Sequence, residues 1–99
     1  MSTDSFTSMS EQDLDEGLYA IGYGLLQEEQ WRKAASVLRL LLIRSPSSPR
    51  SWLALGACHE GVCDYEGAIS LYEKGTLACE DASSLEAAIA RAKSEWGIS

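Results

Sequence analysis

The sequence predicts an all-α fold, a short α-solenoid of two helical hairpins closed by a single C-terminal helix. Three observations lead there. The first is self-similarity at a shift of 34 residues: Gly22 meets Gly56, Ile21 meets Leu55, Ala34 meets Ala68, Trp31 meets Tyr65, Leu38 meets Tyr72 and Leu18 meets Trp52. A second shift carries Ile21 and Leu55 to Ile89, and Gly22 and Gly56 to Ala90. The second is apolar spacing at helical period within each unit. The third is punctuation: Ser45-Pro46-Ser47-Ser48-Pro49 stops one helix and starts the next, and Gly97 ends the last.

The elements follow in order. Helix one is expected over Glu11–Gln27, opened by a variant capping box of Ser10 and Asp13 and by an acidic first turn that suits the helix dipole. Helix two covers Glu29–Arg44, with Arg44 favourably placed at its C-terminal end. Helix three covers Pro49–Val62, Pro49 being tolerated in a first turn. Helix four covers Tyr65–Cys79. Helix five covers Ser84–Trp96, with Ser83 and Glu86 as a capping box. A Ser/Thr-rich tail at 1–10 precedes a domain at 11–99, read as disordered on composition. The domain divides into repeat one at about 15–48, repeat two at about 49–82 and a capping helix at about 83–97.

A period of 34 residues is that of the tetratricopeptide repeat, whose pattern is W-x2-L-G-x2-Y, then A-x3-F, then P. The second unit reads Trp52-x2-Leu55-Gly56-x2-His59, then Ala68-x3-Tyr72. The first reads Leu18-x2-Ile21-Gly22-x2-Leu25, then Ala34-x3-Leu38, then Pro46. His59, Gly75 and Glu80 depart from the usual Tyr, Ala and Pro. Small residues Gly22, Gly56, Ala34 and Ala68 are expected where two helices approach closely. Trp31 and Tyr65 cover the turn, while Leu38, Trp52 and Tyr72 pack, with Leu38 and Tyr72 filling the gap to the next repeat. A generic hairpin core would use the same residues; the period separates the two readings. The third unit has one helix, which closes an apolar end that a solenoid would otherwise expose.

Composition limits the functions. Ninety-nine residues allow one small domain and no deep catalytic pocket. With 15 acidic and 8 basic residues the net charge is −7, which opposes binding to nucleic acid or to an anionic membrane surface. The charge is blocked: residues 1–31 hold seven acids and no base, 32–59 five bases and no acid, and 60–99 eight acids and three bases. Helix faces of opposite sign that attract one another are the expected outcome, with a steering field for a partner as the alternative. No signal peptide is read in the N-terminal residues, and the apolar run 40–43 is too short for a bilayer, so a cytoplasmic protein without membrane insertion is expected. Cys58, Cys63 and Cys79 are odd in number and lack zinc-site spacing even with His59, so reduced thiols and no metal are expected. With one His, no nucleophile–base pair and no phosphate loop, neither enzymatic activity nor a cofactor is expected.

A binding surface is expected instead. In stacked hairpins the first helix of each pair lines the concave face. The inward positions are then Glu16, Tyr19, Ala20, Tyr23, Leu26 and Gln27 in unit one, and Arg50, Leu53, Ala54, Ala57, Glu60 and Gly61 in unit two. Helix five adds Ala87, Ala88 and Arg91. The expected groove is apolar and aromatic, built on Tyr19, Ala20, Tyr23, Leu26, Leu53, Ala54 and Ala57, and suits an apolar segment of another protein. A clamp for a peptide carboxylate would need Lys and Asn where Tyr19, Tyr23, Leu53 and Ala57 stand.

The segments Leu18-Tyr19-Ala20-Ile21-Gly22-Tyr23, Trp31 to Ala34, Ser48-Pro49-Arg50-Ser51-Trp52-Leu53-Ala54-Leu55-Gly56-Ala57-Cys58 and Tyr65-Glu66-Gly67-Ala68-Ile69 resemble the tetratricopeptide chaperones of bacterial type III secretion. The resemblance spans roughly residues 14–80. It implies a bacterial cytoplasmic chaperone that holds a secreted subunit in its groove before export, with Tyr19 and Tyr23 contributing and Leu53 and Ala57 opposite. The motifs match the translocator-binding class, which carries three full repeats. The short length matches the class that holds the needle subunit together with a second small helical co-chaperone. A non-catalytic adaptor that bridges folded proteins is the alternative.

Overall fold

The protein was analysed as a computed structural model that describes residues 10–97. Among these residues there are five α-helices and no strand: α1 (Glu11–Gln27), α2 (Trp31–Arg44), α3 (Pro49–Gly61), α4 (Tyr65–Ala78) and α5 (Ser83–Trp96). Of the expected tail, residues 1–9 lie outside the described set, and Ser10 belongs to α1 as its N-cap. Both halves of the Ser10–Asp13 box form: the Asp13 N–H donates to Ser10 Oγ (3.0 Å) and the Ser10 N–H to Asp13 Oδ2 (3.4 Å). No helix among the described residues is long and apolar enough to cross a membrane.

Two starts differ from expectation for local reasons. Helix α2 begins at Trp31, because the chain turns back through Glu28–Gln30 first. The Ser83–Glu86 box is absent, and Ala82 is the N-cap of α5. Asp81 takes its place, its Oδ1 accepting from the Ser83 N–H (3.1 Å) and Ser83 Oγ (2.7 Å). Asp64 does the same work for α4 by accepting from the Gly67 N–H at 2.9 Å. Gly97, left-handed at φ 86°, ends α5.

The 34-residue period is written into the backbone. Glu29 and Cys63 hold equivalent positions in the two α–α turns, and both have φ 61°. The Gln30 N–H donates to the Leu25 carbonyl (2.9 Å), as the Asp64 N–H does to that of His59 (2.8 Å). Glu29 to Leu26 (3.0 Å) is matched by Cys63 to Glu60 (2.9 Å), and Ser45 to Leu41 (2.8 Å) by Cys79 to Gly75 (3.0 Å). A left-handed residue with a Cβ costs roughly 1–2 kcal/mol. The turn accepts that cost twice, so its geometry is set by the packing of the hairpins and not by local preference.

The packing repeats as well. A Cβ added to Gly22 would lie 2.5 Å from Leu38 Cδ2, and one added to Gly56 would overlap the Tyr72 ring. Ala34 and Ala68 are fully buried beside them. Leu38 and Tyr72 sit against the glycine of their own repeat and also reach the next unit, Leu38 clustering with Ala54, Leu55 and Cys58 of α3 and Tyr72 with Leu85, Ala88 and Ala92 of α5. Trp52 packs on Gly75 and donates its indole N–H to the Pro46 carbonyl at 2.7 Å. The buried Leu85, Ala88 and Ala92 of α5 cluster with Ala68, Ile69 and Tyr72 and close the C-terminal end. At the other end Ile21 is 58% exposed, whereas Leu55, its equivalent, is 3% exposed. Nothing among the described residues precedes α1 to cover it.

The charge blocks meet as ion pairs. Arg44 Nε reaches Asp15 Oδ1 at 2.6 Å, and Ser45 Oγ donates to the other oxygen at 2.7 Å. These two bonds hold the Asp15 carboxyl below the usual aspartate range.

Candidate binding groove

On α1, Glu16, Tyr19, Tyr23 and Leu26 recur at i, i+3, i+7 and i+10 and share one face. Adding 34 to each gives Arg50, Leu53, Ala57 and Glu60 on the matching face of α3. Two ion pairs show that these faces adjoin and that α5 continues them. Arg50 Nη2 meets Glu16 Oε2 at 2.7 Å, tying α1 to α3, and Arg91 Nη2 meets Glu60 Oε2 at 2.8 Å, tying α3 to α5.

Tyr19 and Tyr23 form an aromatic pair on this face of α1. Their rings stack with centroids 5.7 Å apart and planes 20° from parallel. The Arg50 guanidinium lies 4.3 Å from the Tyr19 centroid, so Glu16, Arg50, Tyr19 and Tyr23 form one continuous stack. Tyr23 is 43% exposed, while Tyr19 is half-buried and also packs on the core. Across from them Leu53 and Ala57 are half-buried. The small Ala57, at the repeat position that Tyr23 holds in α1, leaves space above α3. Ala20 is exposed at the edge, and Leu26 is half-buried against the core. Ala54 is 6% exposed and belongs to the core cluster, so its methyl supports the groove from below instead of lining it.

The charged residues at the inward positions are paired with one another. The groove's apolar centre is bracketed by Glu16–Arg50 at one end and Glu60–Arg91 at the other. Glu60 also accepts from the Tyr72 hydroxyl. Burial, and then this carboxylate, push the Tyr72 phenol above its ordinary pKa, so it remains a donor at any physiological pH. Glu60 thus joins the core of repeat two to the groove rim. The signal was present in the sequence: opposite charges stand at inward positions 34 and 31 residues apart. With both arginines already paired, neither is a free cation for a peptide carboxylate.

Two further polar groups are engaged with each other at the α3–α4 turn. His59 Nδ1 lies 2.8 Å from Asp64 Oδ2, and that contact, then the Gly67 N–H, hold the Asp64 carboxyl below the usual aspartate range. Cys58 and Cys79 are buried and Cys63 exposed, all as free thiols. Among the described residues no three His, Cys, Asp or Glu side chains group as a metal set.

No family model matches the chain, and no curated protein does. Among solved structures, the crystal structure of PcrH in complex with the chaperone binding region of PopB matches with a TM-score of 0.75 and 29% sequence identity, over 91% of this chain and 72% of that one. By motif and by fold alike, the chain is similar to the tetratricopeptide chaperones of bacterial type III secretion.

Proposed function

We propose that the protein is a cytoplasmic, non-catalytic type III secretion chaperone whose concave groove holds an apolar segment of an export subunit and keeps it soluble. The observation that carries this reading is the likeness to PcrH, crystallised with the chaperone binding region of PopB, over nearly the whole chain. That likeness favours a translocator as the client over a needle subunit. The mechanism is competition. A subunit that polymerises or inserts into membranes exposes apolar surface, and covering it with Tyr19, Tyr23, Leu53 and Ala57 removes that surface from self-association. Each 100 Å² of apolar client surface covered contributes roughly 2.5 kcal/mol before association costs. The paired charges at both ends penalise a client whose flanking residues would displace them.

Co-expression with the translocators and needle subunit of the same secretion system, followed by co-purification, tests the reading. Wild type retains a translocator, and Tyr23→Ala releases it while far-ultraviolet circular dichroism stays unchanged. Tyr23 suits this test better than Tyr19, which also packs on the core. Failure to retain any of these subunits overturns the proposal.

A second reading has one observation in its favour. Leu14 and Ile21 are 40% and 58% exposed on the uncovered side of α1. A small helical co-chaperone seated there would cover that side, which is the heterodimer that resemblance to the needle-subunit class implies. Light scattering on the isolated chain and on the co-expressed complex distinguishes the two.

A further inference from the structure

Around α3 from the groove, a second concavity opens between α2 and the C-terminal turn of α3. Cys58 and Val62 lie about 100–140° around the helix from Ala57, so this cleft faces away from the groove. It has a volume of about 450 Å³, and its walls are Trp31, Ala35, Cys58 and Val62 together with the polar Ser36 and His59. Its rim carries Arg32 and Arg39, and Lys33 follows on the adjoining surface. Cys58 is buried at 3% exposure, while Val62 is 57% exposed at the mouth.

The charges here differ from those elsewhere in the basic block. Arg44 and Arg50 are neutralised by Asp15 and Glu16. Among the described residues Arg32, Lys33 and Arg39 form no ion pair, although the chain carries 15 acids. Two unpaired arginines and a tryptophan at one cleft are the residue types enriched in interaction hot spots, and Lys33 adds to the positive charge beside it. The cleft has room for one or two large side chains. Its charges call for carboxylates on either side of them. A polyanionic backbone is the poorer match: three cations span too few phosphates, and the remaining charge of the chain repels it.

We propose that the α2–α3 cleft is a second docking surface, which takes a short acidic protein segment with a Leu or Phe anchor, independently of what occupies the groove. The probe is the labelled peptide acetyl-Glu-Asp-Glu-Leu-Phe-Glu-Asp-Glu-amide, followed by fluorescence anisotropy against the intact chain. Binding is expected to weaken by at least about tenfold in Arg32→Glu/Arg39→Glu, which alters only exposed side chains. It is expected to be unchanged in Tyr23→Ala and absent for the same peptide with Lys at every acidic position. Three results would overturn the proposal: no saturable binding to wild type, equal binding by the lysine peptide, or loss of binding in Tyr23→Ala, which would put the peptide in the groove. Displacement by a thymidine oligonucleotide at equal charge concentration would also overturn it, since the cleft would then read charge alone.

Discussion

Gly56→Ala and Gly24→Ala are the same chemical change in helices of the same hairpin type, and they should have opposite signs. Alanine is favoured over glycine inside a helix by about 1 kcal/mol. At Gly24 an added Cβ meets nothing within 4 Å, so that gain is realised. At Gly56 the Cβ would overlap Cε1, Cζ and Oη of Tyr72. That ring cannot step aside, because it is 1% exposed and its hydroxyl is bonded to Glu60. Overpacking of this kind costs roughly 1–3 kcal/mol, more than the propensity gain. The propensity gain is common to both, so the two variants should differ by the overpacking cost alone, about 1–3 kcal/mol. In a domain of this size that is a gap in Tm of roughly 5–20 °C. Thermal and urea unfolding followed by circular dichroism measure it. In a Tyr72→Leu background the penalty of Gly56→Ala should shrink, which makes the coupling explicit. If Gly56→Ala stabilises as much as Gly24→Ala does, the ring does not lie on that glycine and the packing derived from the repeat is wrong.

Further tests address the turns, the thiols and the carboxylates. Glu29→Gly relieves the left-handed backbone at φ 61° and should stabilise by up to about 1 kcal/mol, read as a rise in urea midpoint. Cys63 should react with a thiol reagent in the native protein, whereas Cys58 and Cys79, 3% and 7% exposed, should react only on unfolding. Asp15 and Asp64 both have folded pKa values below the ordinary 3.8, so their contribution is present above that value and lost as pH falls through the lower folded values. The urea midpoint should therefore drop between about pH 5 and pH 2, and Asp15→Asn should drop less steeply from a lower starting point.

The fold was legible because a repeat states its packing twice. Gly22 with Leu38 and Gly56 with Tyr72 were visible as positions before any contact was known. What pattern could not show was that Leu38 and Tyr72, besides packing on the next unit, close on the glycine of their own repeat, because that contact depends on how the helices cross. The start of α5 was misread for a similar reason. Asp81, Ser83 and Glu86 all suit a helix start, and the choice depends on which oxygen reaches the free N–H groups of the first turn. Ala54 was assigned to the groove by register, yet at 6% exposure it sits beneath it, because the boundary between wall and floor is a matter of degrees around α3. The exposed Ile21 and buried Leu55 make the same point at larger scale: an apolar repeat position is buried only when a neighbouring helix exists to bury it.

The two repeats also separate scaffold from site by what they share. At the packing positions, small residues return as small and large as large: Gly22 and Gly56, Ala34 and Ala68, Trp31 and Tyr65, Leu38 and Tyr72. At four groove positions the chemistry changes, although Ala20 returns as Ala54: Glu16 becomes Arg50, Tyr19 becomes Leu53, Tyr23 becomes Ala57 and Leu26 becomes Glu60. Helix packing imposes the same steric requirement on each unit, which accounts for the first set. It imposes none on a face open to solvent, so surface freedom alone would allow the second set to vary. Freedom alone does not make the substitutions complementary, however. Glu16 and Arg50 pair between α1 and α3, and the Arg50 guanidinium lies over Tyr19, whose ring stacks on that of Tyr23. A face that differs between repeats and still pairs across them meets more than a steric requirement, and that is the reason the proposed function places the client there.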